Sequence, residues 1–141
     1  MAKKQRCKNY KKKLLKESAF WSTVSKNLTG MHIQRIETGG TGRGIPDFNA
    51  CCDGVEFWVE LKVVNAGKKI GLRPEQVGWL IKRSKTGGRC FVLVRTPDAE
   101  IFLYKGGKAR EIVDEGLRLE PELKLTKPYD WDKLNKYLLG G

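Results

Sequence analysis

Residues 46–63 contain the sequence feature that most limits what this chain can fold into. A short apolar segment, PDFNACC, is followed by Asp53-Gly54 and then by VEFWVELKV. Because Asp-Gly between two apolar runs is a strong signal for a two-residue turn, these segments predict a β-hairpin. A turn at this point pairs positions whose numbers add to about 107, which places Asp47 opposite Glu60.

The second strand of this hairpin alternates cleanly between apolar and polar positions. One face carries Val55, Phe57, Val59, Leu61 and Val63, and the other carries Glu56, Trp58, Glu60 and Lys62. Two carboxylates paired across a hairpin repel each other unless a cation lies between them. The candidates for that cation are Lys62 and a divalent metal such as Mg²⁺ or Mn²⁺, which one or two carboxylates commonly hold.

The other predicted elements follow from hydrophobic periodicity and from turn residues. They are a helix over residues 10–27, a strand over 31–37, a glycine-rich loop over 38–45, a helix over 74–85, strands over 90–95 and 100–105, and a C-terminal helix over 131–139 capped by Asp130. The residues between 106 and 130 give no clear pattern. This order predicts an α/β or α+β domain with a central mixed sheet flanked by helices.

Length, composition and charge limit the classes of function. The chain has 141 residues, of which 40% are hydrophobic, and a net charge of +12. These values predict one folded domain rather than a disordered polybasic chain. No apolar run approaches the roughly 20 residues of a membrane span, and no secretory signal is expected. The likeliest class of partner for such a basic domain is a polyanion.

The positive charge is concentrated at the N-terminus. Residues 1–16 carry eight basic side chains and no acidic one, whereas residues 96–141 carry eight basic and nine acidic ones. The first segment can be a solvated arm that only maintains solubility. Alternatively, it lies along phosphates, and the affinity then falls steeply with salt. Within it, Lys11, Lys12 and Lys13 are the candidate DNA contacts.

The four cysteines and the single histidine do not predict a metal site. Cys7, Cys51, Cys52 and Cys90 form no CxxC pair, and His32 is far from them in sequence. Adjacent cysteines in a strand point to opposite faces and should not bridge. Free thiols indicate a reducing, intracellular compartment, the cytoplasm or nucleoid.

The spacing around the hairpin resembles a known nuclease signature. Pro46-Asp47, followed after twelve residues by Glu60-Leu61-Lys62, resembles the motif of the PD-(D/E)XK nuclease superfamily. The segment LRPEQ at residues 72–76 is similar to the helix start that follows this motif in the VRR-NUC branch, and Holliday junction resolvases are a related branch. The resemblance covers about residues 17–95 and implies a restriction-endonuclease-like core.

The resemblance implies a role for each matching residue. Asp47, Glu60 and the backbone carbonyl of Leu61 would bind Mg²⁺, with Mn²⁺ as a substitute, and Glu17 would contact the metal through water. Lys62 would orient or activate the attacking water and neutralise the scissile phosphate. Gln76 would hold Lys62 or the metal-bound water.

Further cations flank this predicted site. Arg35, Arg43, Lys68 and Lys69 are candidate phosphate contacts, although charges in loops are often only solvated. Trp58 is expected to be core beneath the N-terminal helix, with base stacking as the alternative. Glu17 can equally be a surface partner of Lys13.

The leading hypothesis is a metal-dependent endonuclease that acts on branched or structured DNA, such as a junction or a flap, as a homodimer. The alternatives are a restriction-type duplex endonuclease, a non-catalytic basic nucleic-acid-binding protein and, more weakly, a protein directed at RNA. We expect three regions: a basic arm or helix start at residues 1–16, a nuclease core at 17–95, and a C-terminal extension at 96–141 that completes the same domain.

Overall fold

A six-stranded mixed sheet forms the centre of the molecule. The computed structural model describes residues 15–37 and 44–141. The strands lie in sequence order across the sheet. They are β1 (His32–Arg35), β2 (Phe48–Cys52), β3 (Val55–Val63), β4 (Cys90–Arg95), β5 (Ile101–Lys105) and β6 (Leu123–Leu125). Only the β3–β4 pair is parallel, and the other four pairs are antiparallel. The predicted fold class, a mixed sheet flanked by helices, is confirmed.

The described residues form four α-helices, which cover the two faces of this sheet. They are α1 (Glu17–Asn27), α2 (Pro74–Lys85), α3 (Ala109–Glu115) and α4 (Trp131–Leu138), with short 3₁₀ turns on each side of α3. Helix α2 is the crossover that a parallel β3–β4 pair requires. No helix in the described ranges is long and apolar enough to cross a membrane.

Two buried apolar clusters lie on opposite sides of the sheet. The first joins Phe20 of α1 and Leu134 of α4 to Phe57 of β3. The second joins Leu80 of α2 and Ile112 of α3 to residues of β4 and β5. The sheet therefore separates an α1–α4 layer from an α2–α3 layer. The polar face of β3 is directed toward the α2 layer, which determines where Glu60 and Lys62 lie.

The predicted hairpin is confirmed, including its register. Phe48 pairs with Val59, one step inside the predicted alignment of Asp47 with Glu60. Asp53 and Gly54 both have positive φ, 49° and 79°, as a two-residue turn of this kind requires. The boundaries of β3 agree with the prediction at both ends.

Within the described residues, the predicted N-terminal helix begins at Glu17. Leu15 and Lys16, which lie inside the predicted range, are not helical. The side chain of Asn65 accepts from the backbone N–H of Leu15 at 3.0 Å and donates to its carbonyl at 3.1 Å. These two hydrogen bonds satisfy the backbone N–H and carbonyl of Leu15, so Leu15 does not need helical hydrogen bonds. Hydrophobic periodicity in the sequence does not reveal such a contact. Residues 10–14 of the predicted helix lie outside the described ranges.

Trp58 does not lie beneath the N-terminal helix as predicted. It packs on the α2 side of the sheet, with its ring centroid 5.3 Å from that of Trp79. The alternation of β3 explains this position, because α1 covers the face that carries Phe57 and Trp58 points the other way.

The C-terminal third extends the sheet. Strands β5 and β6 continue it beyond β4, and α4 packs on the α1 side. The predicted cap of α4 is confirmed, since the Asp130 carboxylate accepts from the N–H of Lys133 at 3.1 Å. Helix α3 and β6 were not predicted. Cys51, Cys52 and Cys90 are free thiols, and Cys7 lies outside the described residues.

Candidate active site

A small cavity opens where the end of β1, the start of β2 and the middle of β3 meet the first turns of α1. It has a volume of about 30 Å³ and is lined by Glu17, Trp21, Arg35, Asp47 and Leu61. This space is large enough for a water molecule or a small ion. Glu60 and Lys62 flank Leu61 in sequence, and their side chains lie on the face of β3 opposite to that of the Leu61 side chain.

Asp47 is held in place by the backbone of β3. Its Oδ2 accepts a hydrogen bond of 2.7 Å from the N–H of Leu61. The chain reaches Asp47 through Pro46, and the backbone carbonyl of Asp47 accepts from the N–H of Ile36 at 2.8 Å. One carboxylate oxygen is thus fixed against the strand that carries Glu60.

Glu60 is a buried acid with a strongly shifted pKa. The residue is 3% exposed, and burial, reinforced by the charge of Asp47, raises the pKa of its carboxyl to about 8. The ammonium of Lys62 lies 3.4 Å from Oε2 of Glu60 and lowers this pKa, but it does not outweigh the two other effects. Without a bound cation, the Glu60 carboxyl is therefore mostly protonated at neutral pH, and a cation beside it would favour its ionised form.

Gln76 links Glu60, Lys62 and the start of α2. Its Nε2 donates to Oε2 of Glu60 at 3.0 Å, and its Oε1 accepts from Nζ of Lys62 at 3.2 Å. The same Oε1 accepts from the N–H of Arg73 at 2.9 Å, which caps the helix. Because two donors face Oε1 and a carboxylate faces Nε2, the orientation of the amide is determined by its partners.

Glu17 lies at the rim, in the first turn of α1. Although solvent reaches the residue, partial burial of the carboxylate raises its pKa. The positive charge of Lys62 lowers that pKa, the negative charge of Asp47 raises it and Arg73 lowers it. The electrostatic coupling shows that Glu17 belongs to the same cluster as Asp47 and Lys62.

Arg35 and Trp21 form the outer wall of the cavity. The guanidinium of Arg35 lies 5.3 Å from the centroid of the Trp21 ring, and that ring packs against Phe48. Arg35 was predicted from sequence as a phosphate contact, and the structure places it beside Asp47.

The acidic cluster suits a divalent cation that protein side chains hold only in part. Within residues 15–37 and 44–141, no three His, Cys, Asp or Glu side chains gather closely enough to hold a metal by themselves. Mg²⁺ commonly uses one or two carboxylates and completes its shell with water and phosphate. The buried carboxyl of Glu60 with Asp47 near it, and the small cavity beside Asp47, fit such an ion.

Gly44 brings the end of the glycine-rich loop against the first turn of α2. Its φ is +77°, and a Cβ at this position would overlap the carbonyl of Glu75. The backbone of the loop thus lies directly on the turn that carries Gln76. The rest of that loop, with Arg43, lies outside the described residues.

We predict that Gly44→Ala lowers the free energy of unfolding by more than about 2 kcal/mol, because backbone strain and a steric overlap act together. The matched control is Gly54→Ala, whose φ of +79° imposes similar strain but whose Cβ would meet no atom within 4 Å. Urea unfolding of both variants measures the difference. Equal losses of stability would contradict a close approach at Gly44.

The other predicted cations are not gathered at the cavity by any described contact. Lys68 and Lys69 are exposed in the loop before α2, and the carbonyl of Lys68 accepts from the N–H of Leu117 at 2.8 Å. Lys11, Lys12 and Lys13 lie outside the described residues.

Two neighbours of the site were not singled out for it from the sequence. Arg73 caps α2 through its backbone and lowers the pKa of Glu17, and Trp21 lines the cavity. The position of Arg73 directly before Pro74, at a predicted helix start beside the motif, was the available signal. The sequence contained no such signal for Trp21, because Trp21 follows the helical spacing of the apolar residues of α1.

Comparison with known proteins gives three results. A solved structure of the Archaeoglobus fulgidus Hjc, a Holliday junction resolvase from an archaeal hyperthermophile, is similar with 18% sequence identity and a TM-score of 0.45. The similarity covers 63% of this chain and 72% of that one. No curated protein sequence matches the chain. The family model described as archaeal Holliday junction resolvase (Hjc) matches residues 18–124.

That match spans most of the chain and includes β1 to β5 and the start of β6, together with Asp47, Glu60, Lys62 and Gln76. It agrees with the superfamily resemblance drawn from the hairpin and extends beyond residue 95, where that resemblance ended. The chain therefore belongs to the archaeal Holliday junction resolvase family, a family of endonucleases within the PD-(D/E)XK superfamily that act on branched DNA.

Proposed function

We propose that this protein is a Mg²⁺-dependent endonuclease that cuts Holliday junctions or related branched DNA, with Asp47, Glu60, Lys62 and Gln76 as its active site. The observation that carries the proposal is the network of Gln76, Glu60 and Lys62 beside Asp47. A structural ion pair between Lys62 and Glu60 would not need a second acid, Asp47, directly across the hairpin.

Asp47 and Glu60, with the backbone carbonyl of Leu61, would hold the metal, and Glu17 would contact it through water. When bound, the metal supplies Lewis acidity and makes a coordinated water more acidic. Glu60 must be ionised for this role. Since the pKa of Glu60 is raised to about 8, Glu60 would have to give up a proton to hold a metal at neutral pH.

Lys62 would act on the attacking water and on the scissile phosphate. An ammonium has three N–H donors, of which one points at Gln76 and one at Glu60. The third is available for the water or for a phosphate oxygen. Attack of water at phosphorus forms one P–O bond and breaks the bond to the 3′ oxygen, leaving a 5′-phosphate and a 3′-hydroxyl. The fixed ammonium stabilises the charge that grows on the phosphate oxygens.

Gln76 would be a positioning residue that keeps Lys62 and Glu60 in this arrangement. It is the third residue of α2 and is 5% exposed. The resemblance to the VRR-NUC branch implies a Gln with this positioning role. We therefore propose that this chain shares the positioning Gln with that branch.

The cations around the site would bind the DNA backbone. We propose that Arg35, which lines the cavity with Asp47, contacts the phosphates next to the scissile one, and that Arg43, Lys68 and Lys69 are more distant contacts. A four-way junction has paired strands related by two-fold symmetry, so a homodimer would present two active sites to it.

A panel of DNA and RNA substrates tests the proposal. Four-way junction, flap, linear duplex, single-stranded DNA and RNA are incubated with wild type and Glu60→Ala, in Mg²⁺ or in EDTA. We expect Mg²⁺-dependent cleavage with preference for the branched substrates, and none by Glu60→Ala, which still binds. Preference for plain duplex would favour a restriction-type enzyme. Binding without cleavage of any substrate would favour a non-catalytic DNA-binding protein.

For the basic arm, we predict that deleting residues 2–13 weakens junction binding and flattens its dependence on salt, because seven cations are removed. Metal-dependent cleavage at saturating DNA should remain. Titrations between low and moderate salt measure the slope of affinity against salt concentration. An unchanged slope would show that the arm does not contact phosphates.

A further inference from the structure

Two tryptophans and an arginine form a stack on the α2 side of the sheet. The rings of Trp58 and Trp79 are 5.3 Å apart, and the guanidinium of Arg83 lies 4.6 Å from the Trp79 centroid and 5.5 Å from that of Trp58. All three residues are partly exposed. We call this group the tryptophan–arginine stack. The active-site network does not include any of its members.

The position of Arg83 is set by packing rather than by an acidic partner. A Cβ on Gly88 would overlap the aliphatic stem of Arg83, so the absent side chain leaves room for the stem to lie there. Within the described residues, no ion pair includes Arg83. Its charge is thus held over two indole rings and is not neutralised by a carboxylate.

The stack continues the line of the active site along α2 and β3. Gln76 meets Glu60, and one helical turn further Trp79 meets Trp58. Seven residues of helix separate Gln76 from Arg83, which is about 10 Å along the helix axis. That distance corresponds to about three base steps of duplex DNA at 3.4 Å each. A strand with its scissile phosphate at Lys62 therefore reaches the stack within a few nucleotides.

An open concavity lies over the stack. It has a volume of about 330 Å³ and is lined by Trp79, Lys82, Arg83 and Thr86. Its size is at the lower end of pockets that bind small ligands, about 300–1,000 Å³. The last turn of α2 is basic, with Lys82 and Lys85 exposed beside Arg83. The surface thus combines aromatic area with positive charge, the combination that binds single-stranded nucleic acid.

We propose that the tryptophan–arginine stack binds an unpaired nucleobase of the DNA substrate near the branch point. The base stacks on Trp79 and the guanidinium of Arg83, and Lys82 contacts the adjacent phosphate. Trp58 and Gly88 are positioning residues that hold Trp79 and Arg83 in place. The proposal rests on the proposed function, because it places the branch point of the DNA within a few nucleotides of the scissile phosphate.

Binding in EDTA, where no cleavage occurs, tests the proposal apart from catalysis. The proteins are wild type, Trp79→Leu, Arg83→Gln and Lys133→Gln, the last being a matched loss of charge on an exposed residue of α4, on the opposite face of the sheet. The probes are oligothymidine, a four-way junction with one unpaired thymidine at the branch, and a blunt duplex. Circular dichroism checks the fold, and sedimentation gives the mass.

We expect Trp79→Leu and Arg83→Gln each to weaken binding of oligothymidine and of the junction about tenfold. The affinity of these two variants for the blunt duplex should change less than twofold. Lys133→Gln should change the affinity for all three probes by a similar factor. Oligothymidine should quench tryptophan fluorescence in wild type and much less in Trp79→Leu. Arg83→Gln keeps the test decisive if Trp79→Leu misfolds.

Three results would overturn the proposal: unchanged affinity for oligothymidine, equal weakening for all three probes, or a change of mass in both variants. The second would indicate a general phosphate contact, and the third would indicate an interface between copies of this chain. The same proteins are also assayed for junction cleavage in Mg²⁺. If wild type cleaves the junction but shows no base-specific binding, only the role of the tryptophan–arginine stack is refuted. If wild type shows base-specific binding but cleaves no junction, only the proposed function is refuted.

Discussion

Asp47→Asn is expected to reduce Mg²⁺-dependent junction cleavage by about 10³-fold or more while leaving the fold and junction binding intact. An Asn oxygen can still accept the hydrogen bond that Leu61 donates to Asp47, so the start of β2 keeps its anchor. What is lost is one of the negative charges that would hold the metal. A metal contributes several kcal/mol to such a reaction, and each 1.36 kcal/mol is tenfold in rate.

The matched control is Asp53→Asn, the same chemical change at the other end of the same hairpin. Asp53 lies in the turn at positive φ, a conformation that Asn adopts readily, so its cleavage rate should stay within a few-fold of wild type. Single-turnover assays with enzyme in excess measure the chemical step for both variants. Comparable rates for Asp47→Asn and wild type would remove Asp47 from the active site.

The metal-free protein should lose stability as the pH rises from about 5 to 9. In the folded state the pKa of Glu60 is raised from its ordinary 4.5 to about 8. The folded state therefore binds a proton more tightly than the unfolded state. This contribution to stability is complete below about pH 4.5 and is lost as the pH rises through about 8. The slope is at most about 1.4 kcal/mol per pH unit for one group.

Glu60→Gln should remove most of that slope in EDTA, because Gln stays neutral and can still accept the hydrogen bond from Gln76. A smaller slope of the same sign remains from Glu17, whose pKa is also raised. Mg²⁺ should stabilise wild type more at pH 8 than at pH 6, since protons and metal compete for Glu60. Urea unfolding across this range, with Glu56→Gln as control, measures the effect. Parallel slopes for wild type and Glu60→Gln would refute a proton held at Glu60.

The part of the site that lies on the hairpin could be predicted from the sequence. Asp53-Gly54 sets the turn, the turn sets the register, and the register brings Asp47 to Glu60 before any tertiary contact is known. Strong alternation in β3 also determined the face on which Lys62 lies. These are local effects, in which side-chain period and turn geometry act over fewer than about 20 residues.

The remaining features depend on contacts that are distant in sequence. Gln76 contacts Glu60 and Lys62 only because α2 crosses back over β3 with its first turn above Glu60. Trp58 was placed under the wrong helix because alternation shows that two faces exist but not which helix covers each. Leu123–Leu125 is too short for a periodic pattern, and its pairing with β5 makes it a strand. The non-helical backbone at Leu15 likewise depends on Asn65, fifty positions away.

Single-turnover cleavage of a four-way junction by wild type and Lys62→Met tests the central claim most directly. Both proteins are used in excess over the junction, in Mg²⁺ and in EDTA, with Lys133→Met as a lysine control remote from the site. We expect Mg²⁺-dependent nicks with 5′-phosphate ends from wild type and from the control. Lys62→Met should cut at least about 100-fold more slowly, because it lacks the fixed ammonium, yet bind the junction within a few-fold. Cleavage that persists in EDTA, or a Lys62→Met rate equal to wild type, would contradict a metal-dependent site built around Glu60 and Lys62.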